Sequence, residues 1–133
     1  MTEINSGFVG LGQMGAPMAA NIAATFPLVA YDKASASAQL PAGATVVDTL
    51  ADVANAADTI FLSVPDGPVS IAILQELAVM SKRRVRCVID LSTTGMDASR
   101  QAYEIAAGAG IIYIDAPVSG GQAGARAGTV SLM

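Results

Sequence analysis

The feature that most constrains this chain is its alternation. Short, nearly continuous apolar runs ending in Gly, Asp or Pro are separated by segments whose apolar residues recur at helical spacing. Gly7-Phe8-Val9-Gly10 reads as a strand closing in a glycine turn, and Gln13 to Phe26 as the helix after it. Pro17 falls early in that helix, where a missing N–H is tolerated, and Pro27 stops it. Leu28-Val29-Ala30-Tyr31 reads as a second strand ending at Asp32. After a turn at 41–43, Ala44 to Val47 reads as a third, with Asp48-Thr49 capping a helix over Leu50 to Asn55. Thr59 to Val64, bounded by Asp58 and Pro65, has the unbroken apolar character of a strand covered on both faces. A helical stripe runs from Val69 to Met80, and Lys82-Arg83-Arg84 reads as its solvated end, favourable to the helix dipole. Val85 to Leu91, Met96 to Ala107 and Ile111 to Ile114 then read as strand, helix and strand, the last ending at Asp115.

Strands and helices in strict turn predict a doubly wound α/β fold: a parallel sheet with helices on both faces, one domain over residues 1–133. Right-handed crossovers bring the strand C-termini to one rim, so Gly10, Asp32, Val64-Pro65, Leu91-Ser92 and Asp115-Ala116 gather there and a ligand crevice is expected between them. Composition removes several chemistries. With no His, a Ser-His-Asp triad and a His-ligated metal are excluded, and no metal site is expected. A net charge of -4 argues against a nucleic-acid backbone as partner. The lone Cys87 cannot form an internal disulfide, and it reads as an apolar filler in its strand. The polar start Met1 to Asn5 lacks a basic segment before an apolar run, and no apolar stretch reaches the roughly 18 residues of a membrane span. A cytoplasmic protein with no membrane partner is expected.

Gly10-Leu11-Gly12-Gln13-Met14-Gly15 fits G-x-G-x-x-G, follows an expected strand and opens an expected helix. In that setting the glycines serve a tight turn, close approach of backbone to a pyrophosphate, and close helix–strand packing, while the helix N-terminus offers amides to phosphate. The bland alternative is glycines that serve only the strand–helix turn. Asp32 ends the second strand at the spacing where a carboxylate accepts from the adenosine ribose hydroxyls of NAD and repels the 2'-phosphate of NADP; Lys33 beside it leaves NADP possible. NAD is the expected cofactor.

Three stretches of the chain resemble the N-terminal domain of the β-hydroxyacid dehydrogenases, the family of 3-hydroxyisobutyrate dehydrogenase and tartronate semialdehyde reductase, related to 6-phosphogluconate dehydrogenase. They are Gly7 to Gly15 with Met18 and Asn21 following, Asp90-Leu91-Ser92-Thr93-Thr94, and Asp115 to Gly121 running on to Gly124-Ala125 and Gly128-Thr129. The resemblance implies that Ser119, Gly120 and Gly121 bind a substrate carboxylate. A glycine pair independently favours an anion-binding nest of amides, against the plainer reading of a flexible loop. It further implies that Ser92 and Thr93 lie near the nicotinamide ribose and that Val64, Pro65 and Asp66 border the cofactor. Without it, Ser92 to Thr94 reads as an N-cap for the helix that follows. Arg126 reads as an exposed loop arginine rather than a second anion contact.

Family members transfer a hydride between nicotinamide and a small 3-hydroxy carboxylate, with a lysine as general acid–base in a Gly-rich Lys-Asn motif. That motif lies beyond Met133, so no catalytic residue is carried over to this chain. The same resemblance implies further strands of the sheet and an all-helical domain outside the chain, with a homo-oligomer at full length. The apolar end Thr129 to Met133 reads as a strand that begins without finishing. The competing reading is a non-catalytic NAD-binding module acting with another subunit. An imine reductase is disfavoured because a carboxylate nest has no purpose there.

Overall fold

The computed structural model describes residues 5–33, 41, 43–129 and 131–132. Its main sheet consists of β1 (Ser6–Val9), β2 (Leu28–Tyr31), β3 (Thr45–Val46), β4 (Thr59–Leu62), β5 (Cys87–Asp90) and β6 (Ile112–Asp115). All pairings are parallel, in the spatial order β3-β2-β1-β4-β5-β6. The helices are α1 (Gly15–Ala23), α2 (Leu50–Ala56), α3 (Gly67–Ala78), α4 (Met96–Gly108) and α5 (Gly121–Ala127). This is the doubly wound, Rossmann-type sheet expected from the alternation. Strand order reverses between β1 and β4, which makes that boundary the topological switch point.

Both faces of the strands are apolar, and alternate residues serve opposite sides. Val9, Ile60, Leu62 and Val88 meet Val53 of α2, Leu74 and Leu77 of α3, and Ala102 and Ala106 of α4. Phe8, Leu28 and Ala30 turn the other way, toward Ala16, Met18 and Ala19 of α1 and Ala125 of α5. Burying each larger apolar side chain contributes about 1.5–3 kcal/mol, so these two layers dominate the stability of the fold. Phe8 and Phe61, side by side on β1 and β4, stack with centroids 6.2 Å apart.

Helix starts follow local chemistry. Thr49 caps α2, its hydroxyl accepting from Asp52 N at 3.1 Å, as the sequence predicts. Helix α3 begins two residues before the expected Val69: the Asp66 carboxylate accepts from Val69 N at 3.1 Å, and Gly67-Pro68 occupies the first turn, where proline loses nothing. Helix α4 departs from expectation in its cap. Neither Ser92 nor Thr94 caps it; Gly95 is the N-cap, at φ +83°, with no side chain bonding to the helix amides. A positive φ is what glycine tolerates and threonine does not.

One further expectation is corrected. The basic run is not a solvated helix end, because α3 stops at Ala78 and two of the arginines turn inward as staples at the N-terminal side of the sheet. Arg84 grips Asp58 with two hydrogen bonds, 2.8 Å from Nε and 3.2 Å from Nη2, and Arg83 donates to the carbonyls of Met80 and Ala109. Outside the six-stranded sheet, the terminal apolar run does contain the expected strand. Within it, β8 (Ser131–Leu132) pairs antiparallel with β7 (Val118–Ser119) as a separate ribbon; Val130 and Met133 lie outside the described residues. Among the described residues, no helix is long and apolar enough to cross a membrane.

Candidate functional site

At the C-terminal rim the sheet's hydrogen bonding continues one residue past the strands. Gly10 N donates to Tyr31 O (3.0 Å), Ser63 N to Val9 O (2.9 Å), Leu91 N to Leu62 O (2.8 Å) and Ala116 N to Asp90 O (2.8 Å). Beyond those bonds the chain after β1 turns into α1 on one face and the chain after β4 into α3 on the other. A cleft of about 1120 Å³ opens between them, larger than most small-molecule pockets, which run to roughly 1,000 Å³. Its floor is the turn Gly10 to Gly15. Tyr31, Asp32 and Lys33 form one end, Ser63, Val64 and Pro65 the opposite wall, and Leu50, Val69, Ile73 and Glu76 an apolar flank with one carboxylate.

The three glycines of the turn are separated by their surroundings. A Cβ on Gly10, whose φ is +103°, would sit 1.9 Å from Ser63 O, and a Cβ on Gly15 would sit 1.8 Å from Gly10 O. Neither position admits a side chain whatever binds in the cleft. Gly12 is different: it is exposed, and a Cβ there would meet nothing within 4 Å. The fold does not require glycine at 12, so the bland reading of glycines serving only the turn accounts for two of the three.

Helix α1 starts at this turn with Met14 as N-cap and no side chain bonded to its first amides. Of the first amides, Ala16 N donates to the Gly12 carbonyl at 3.0 Å and Pro17 has no N–H, so it is chiefly the positive end of the helix dipole that the turn offers to an anion. Across the turn, Asp32 Oδ2 accepts from Leu11 N at 2.6 Å, which fixes the carboxylate at the end of β2 beside the glycine loop. Lys33 next to it is exposed.

The remaining sequence-derived candidates divide. Val64 and Pro65 line the cleft; Asp66, Ser92 and Thr93 do not. Asp66 is occupied as the cap of α3. Ser92 is almost completely buried, its Oγ accepts from Val64 N at 2.9 Å, and its own N–H donates to Asp90 Oδ1 at 3.0 Å. Thr93 is exposed one residue further on. Ser119, Gly120 and Gly121 form an exposed turn outside the cleft, at the start of α5, with both glycines at positive φ (+134° and +62°). Helix α5 is tied to α1 through Asn21, whose amide donates to the Ala125 carbonyl at 2.7 Å, and Arg126 in the same helix is exposed.

A buried pair behind the rim was not anticipated from sequence. Asp90 is fully buried, and its Oδ2 accepts the Tyr113 hydroxyl at 2.7 Å. The tyrosine's ionisation is pushed far above its ordinary value by burial first, then by the hydrogen bond to Asp90 and its negative charge, with the Thr94 hydroxyl opposing. A carboxylate closing an otherwise apolar strand was the available signal, since such a group inside a sheet requires donors. Cys87, expected as a buried filler, is only partly buried, and that burial raises its thiol above the usual range.

Residues 5–133 match the family model described as the NAD binding domain of 6-phosphogluconate dehydrogenase. Among curated proteins, the chain is 39% identical to 2-(hydroxymethyl)glutarate dehydrogenase of Eubacterium barkeri, covering 98% of this chain and 45% of that protein. It is 35% identical to 2-hydroxy-3-oxopropionate reductase of Escherichia coli, covering 96% of this chain and 45% of the relative. Among solved structures, 3-hydroxyisobutyrate dehydrogenase of Mycobacterium tuberculosis with L-serine superposes with a TM-score of 0.88 at 31% identity, over 99% of this chain and 46% of that one. The chain thus spans somewhat less than half the length of these relatives.

Proposed function

This chain belongs to the family of the NAD binding domain of 6-phosphogluconate dehydrogenase, and from that membership we propose that its parent polypeptide is an NAD(P)-dependent oxidoreductase. In this reading the parent passes a hydride between nicotinamide and a small 3-hydroxy carboxylate such as 3-hydroxyisobutyrate or glycerate. The named relatives, which are dehydrogenases and reductases of hydroxyacids, support it. Residues 1–133 form the dinucleotide-binding domain. The general acid–base lysine, the helical substrate domain and the surfaces of a homo-oligomer belong to the rest of the parent. With a single thiol and no disulfide to maintain, the cytoplasm is the proposed location.

The single observation that carries the cofactor assignment is the open space over Gly12. The cradle admits a diphosphate where a side chain would fill it, beside the positive end of the α1 dipole. Asp32 takes the adenosine ribose hydroxyls and disfavours a 2'-phosphate, which makes NAD the preferred cofactor, while Lys33 keeps NADP within reach. Val64 and Pro65 wall the dinucleotide, Asp66 and Ser92 hold that wall, and Thr93 lies toward the nicotinamide ribose. The bound nicotinamide supplies the hydride chemistry; the residues of this chain bind and orient. Ser119, Gly120 and Gly121 take the substrate carboxylate through a hydroxyl and main-chain amides, a role supported by the open, positive-φ backbone at both glycines.

Fluorescence titration of NADH into the wild-type chain and into Gly12→Val tests the assignment. Binding by the first and its loss in the second is expected; equal affinity would remove the dinucleotide from this turn.

A further inference from the structure

Taking the cleft as the dinucleotide site proposed above, we propose that Asp90 and Tyr113 are positioning residues that set the Val64-Pro65 wall of the cleft from behind. The connection is continuous. The Tyr113 hydroxyl on β6 donates to Asp90 Oδ2 at 2.7 Å, Ser92 N donates to Asp90 Oδ1 at 3.0 Å, and Ser92 Oγ accepts from Val64 N at 2.9 Å. Three adjacent strands are thereby linked, from Tyr113 within β6 through the C-terminal end of β5 to the chain just past β4, where it becomes cleft wall.

Each link has a physical reason to be rigid. Asp90 is fully buried and Ser92 nearly so, and an unpartnered carboxylate or hydroxyl at such depth is costly, so each group is confined to the geometry that keeps its partner. Val64 N is not used by the parallel ladder, whose last bond between β4 and β5 runs from Leu91 N to Leu62 O. Its partner in the structure is the Ser92 hydroxyl, and the placement of that hydroxyl depends on Asp90 holding the Ser92 backbone. Asp90 does not itself line the cleft, so its influence on a bound dinucleotide passes through Ser92 and Val64.

Amide hydrogen exchange followed by NMR, together with NADH titration, tests this on the full chain. In Tyr113→Phe and Asp90→Ala, Val64 N–H is expected to exchange about tenfold faster and NADH affinity to fall about three- to tenfold, as loss of a buried hydrogen bond implies. The amides of Phe8 and Ile60, deep in the same sheet, keep their protection. Asp90→Asn restores most of both readouts, since its amide oxygen still accepts from Ser92 N and its NH2 donates to the Tyr113 oxygen. Tyr113→Phe removes one oxygen and leaves the ring in place, so it decides the matter should Asp90→Ala not fold. Unchanged Val64 exchange in Tyr113→Phe, or a uniform loss of protection across all strands, would overturn the assignment. Absence of NADH binding by the wild-type chain would instead defeat the dinucleotide reading, and Val64 exchange would still decide whether the relay holds the wall.

Discussion

The Asp32 carboxylate accepts a hydrogen bond from the Leu11 amide at 2.6 Å, joining the end of the second strand to the glycine turn 21 residues earlier. The acid proposed to read the ribose therefore also braces the loop proposed to hold the pyrophosphate. Replacing it removes a charge and a brace together. Asp32→Ala is expected to weaken NAD binding about tenfold, the scale of a charge-assisted hydrogen bond, and NADP binding less, because a repulsion to the 2'-phosphate disappears at the same time. Parallel titrations with the two cofactors measure the ratio; if it does not move, Asp32 has no part in cofactor choice.

The glycines of the turn separate folding from binding. Gly15→Ala forces a Cβ to within 1.8 Å of the Gly10 carbonyl oxygen and is expected to lower stability by about 3 kcal/mol in urea unfolding. Gly12→Ala meets no neighbour and is expected to stay within about 0.5 kcal/mol of wild type while losing NADH affinity. The same stability loss in both variants would contradict the geometry.

Tyr113 gives the fold an alkaline limit. Its folded-state ionisation lies above the ordinary value of 10.0, so the stabilisation is complete below about pH 10 and is lost as pH rises toward the folded-state value. The wild-type chain is expected to lose unfolding free energy above pH 10 faster than Tyr113→Phe. Urea titrations between pH 8 and pH 11 compare the two slopes, and identical slopes would separate Tyr113 from the alkaline transition.

Ser119→Ala, made in the parent polypeptide, is expected to raise KM for the hydroxyacid about three- to tenfold, the scale of one hydrogen bond to a charged group, with the KM for NAD unchanged. Steady-state kinetics with each substrate varied in turn separates the two. A change confined to the NAD term would move Ser119 from the acid to the cofactor.

Arg84→Lys keeps the charge at the N-terminal side of the sheet but not the two-pronged contact with Asp58. The two side chains are 31% and 25% exposed, which limits the effect to about 1 kcal/mol, reduced further at high salt. Denaturation at two salt concentrations reads both the loss and its screening.

Much of the fold was legible because the apolar runs are short and bounded. Leu28 to Tyr31 could be delimited to the residue, since Pro27 and Asp32 bracket it, and the alternation of such runs with helical stripes is enough to imply a parallel sheet. The glycine turn and Asp32 were legible as one cleft because their spacing is a property of strand and helix length. What escaped depends on partners distant in sequence or on backbone angles. Thr94 has the chemistry of a cap, but Gly95 at φ +83° starts the helix instead. Arg83 and Arg84 look solvated in a basic run, and only their approach to Ala109 and Asp58 turns them inward. The resemblance implies a place for Ser92 near the nicotinamide ribose, but the hydrogen bond its hydroxyl accepts from Val64 N was not legible, because that contact is set by the neighbouring strands rather than by local spacing.

The floor of the cleft is the turn Gly10 to Gly15, with glycines at 10, 12 and 15 that bring the backbone itself to the surface. Peptide units are the same in every residue, so a recognition surface built from them survives exchange of the surrounding side chains as long as the backbone path is kept. Descendants of such a domain are free to drift widely in composition and still grip the same coenzyme, and selection for new substrates can act on the outer loops without disturbing that grip.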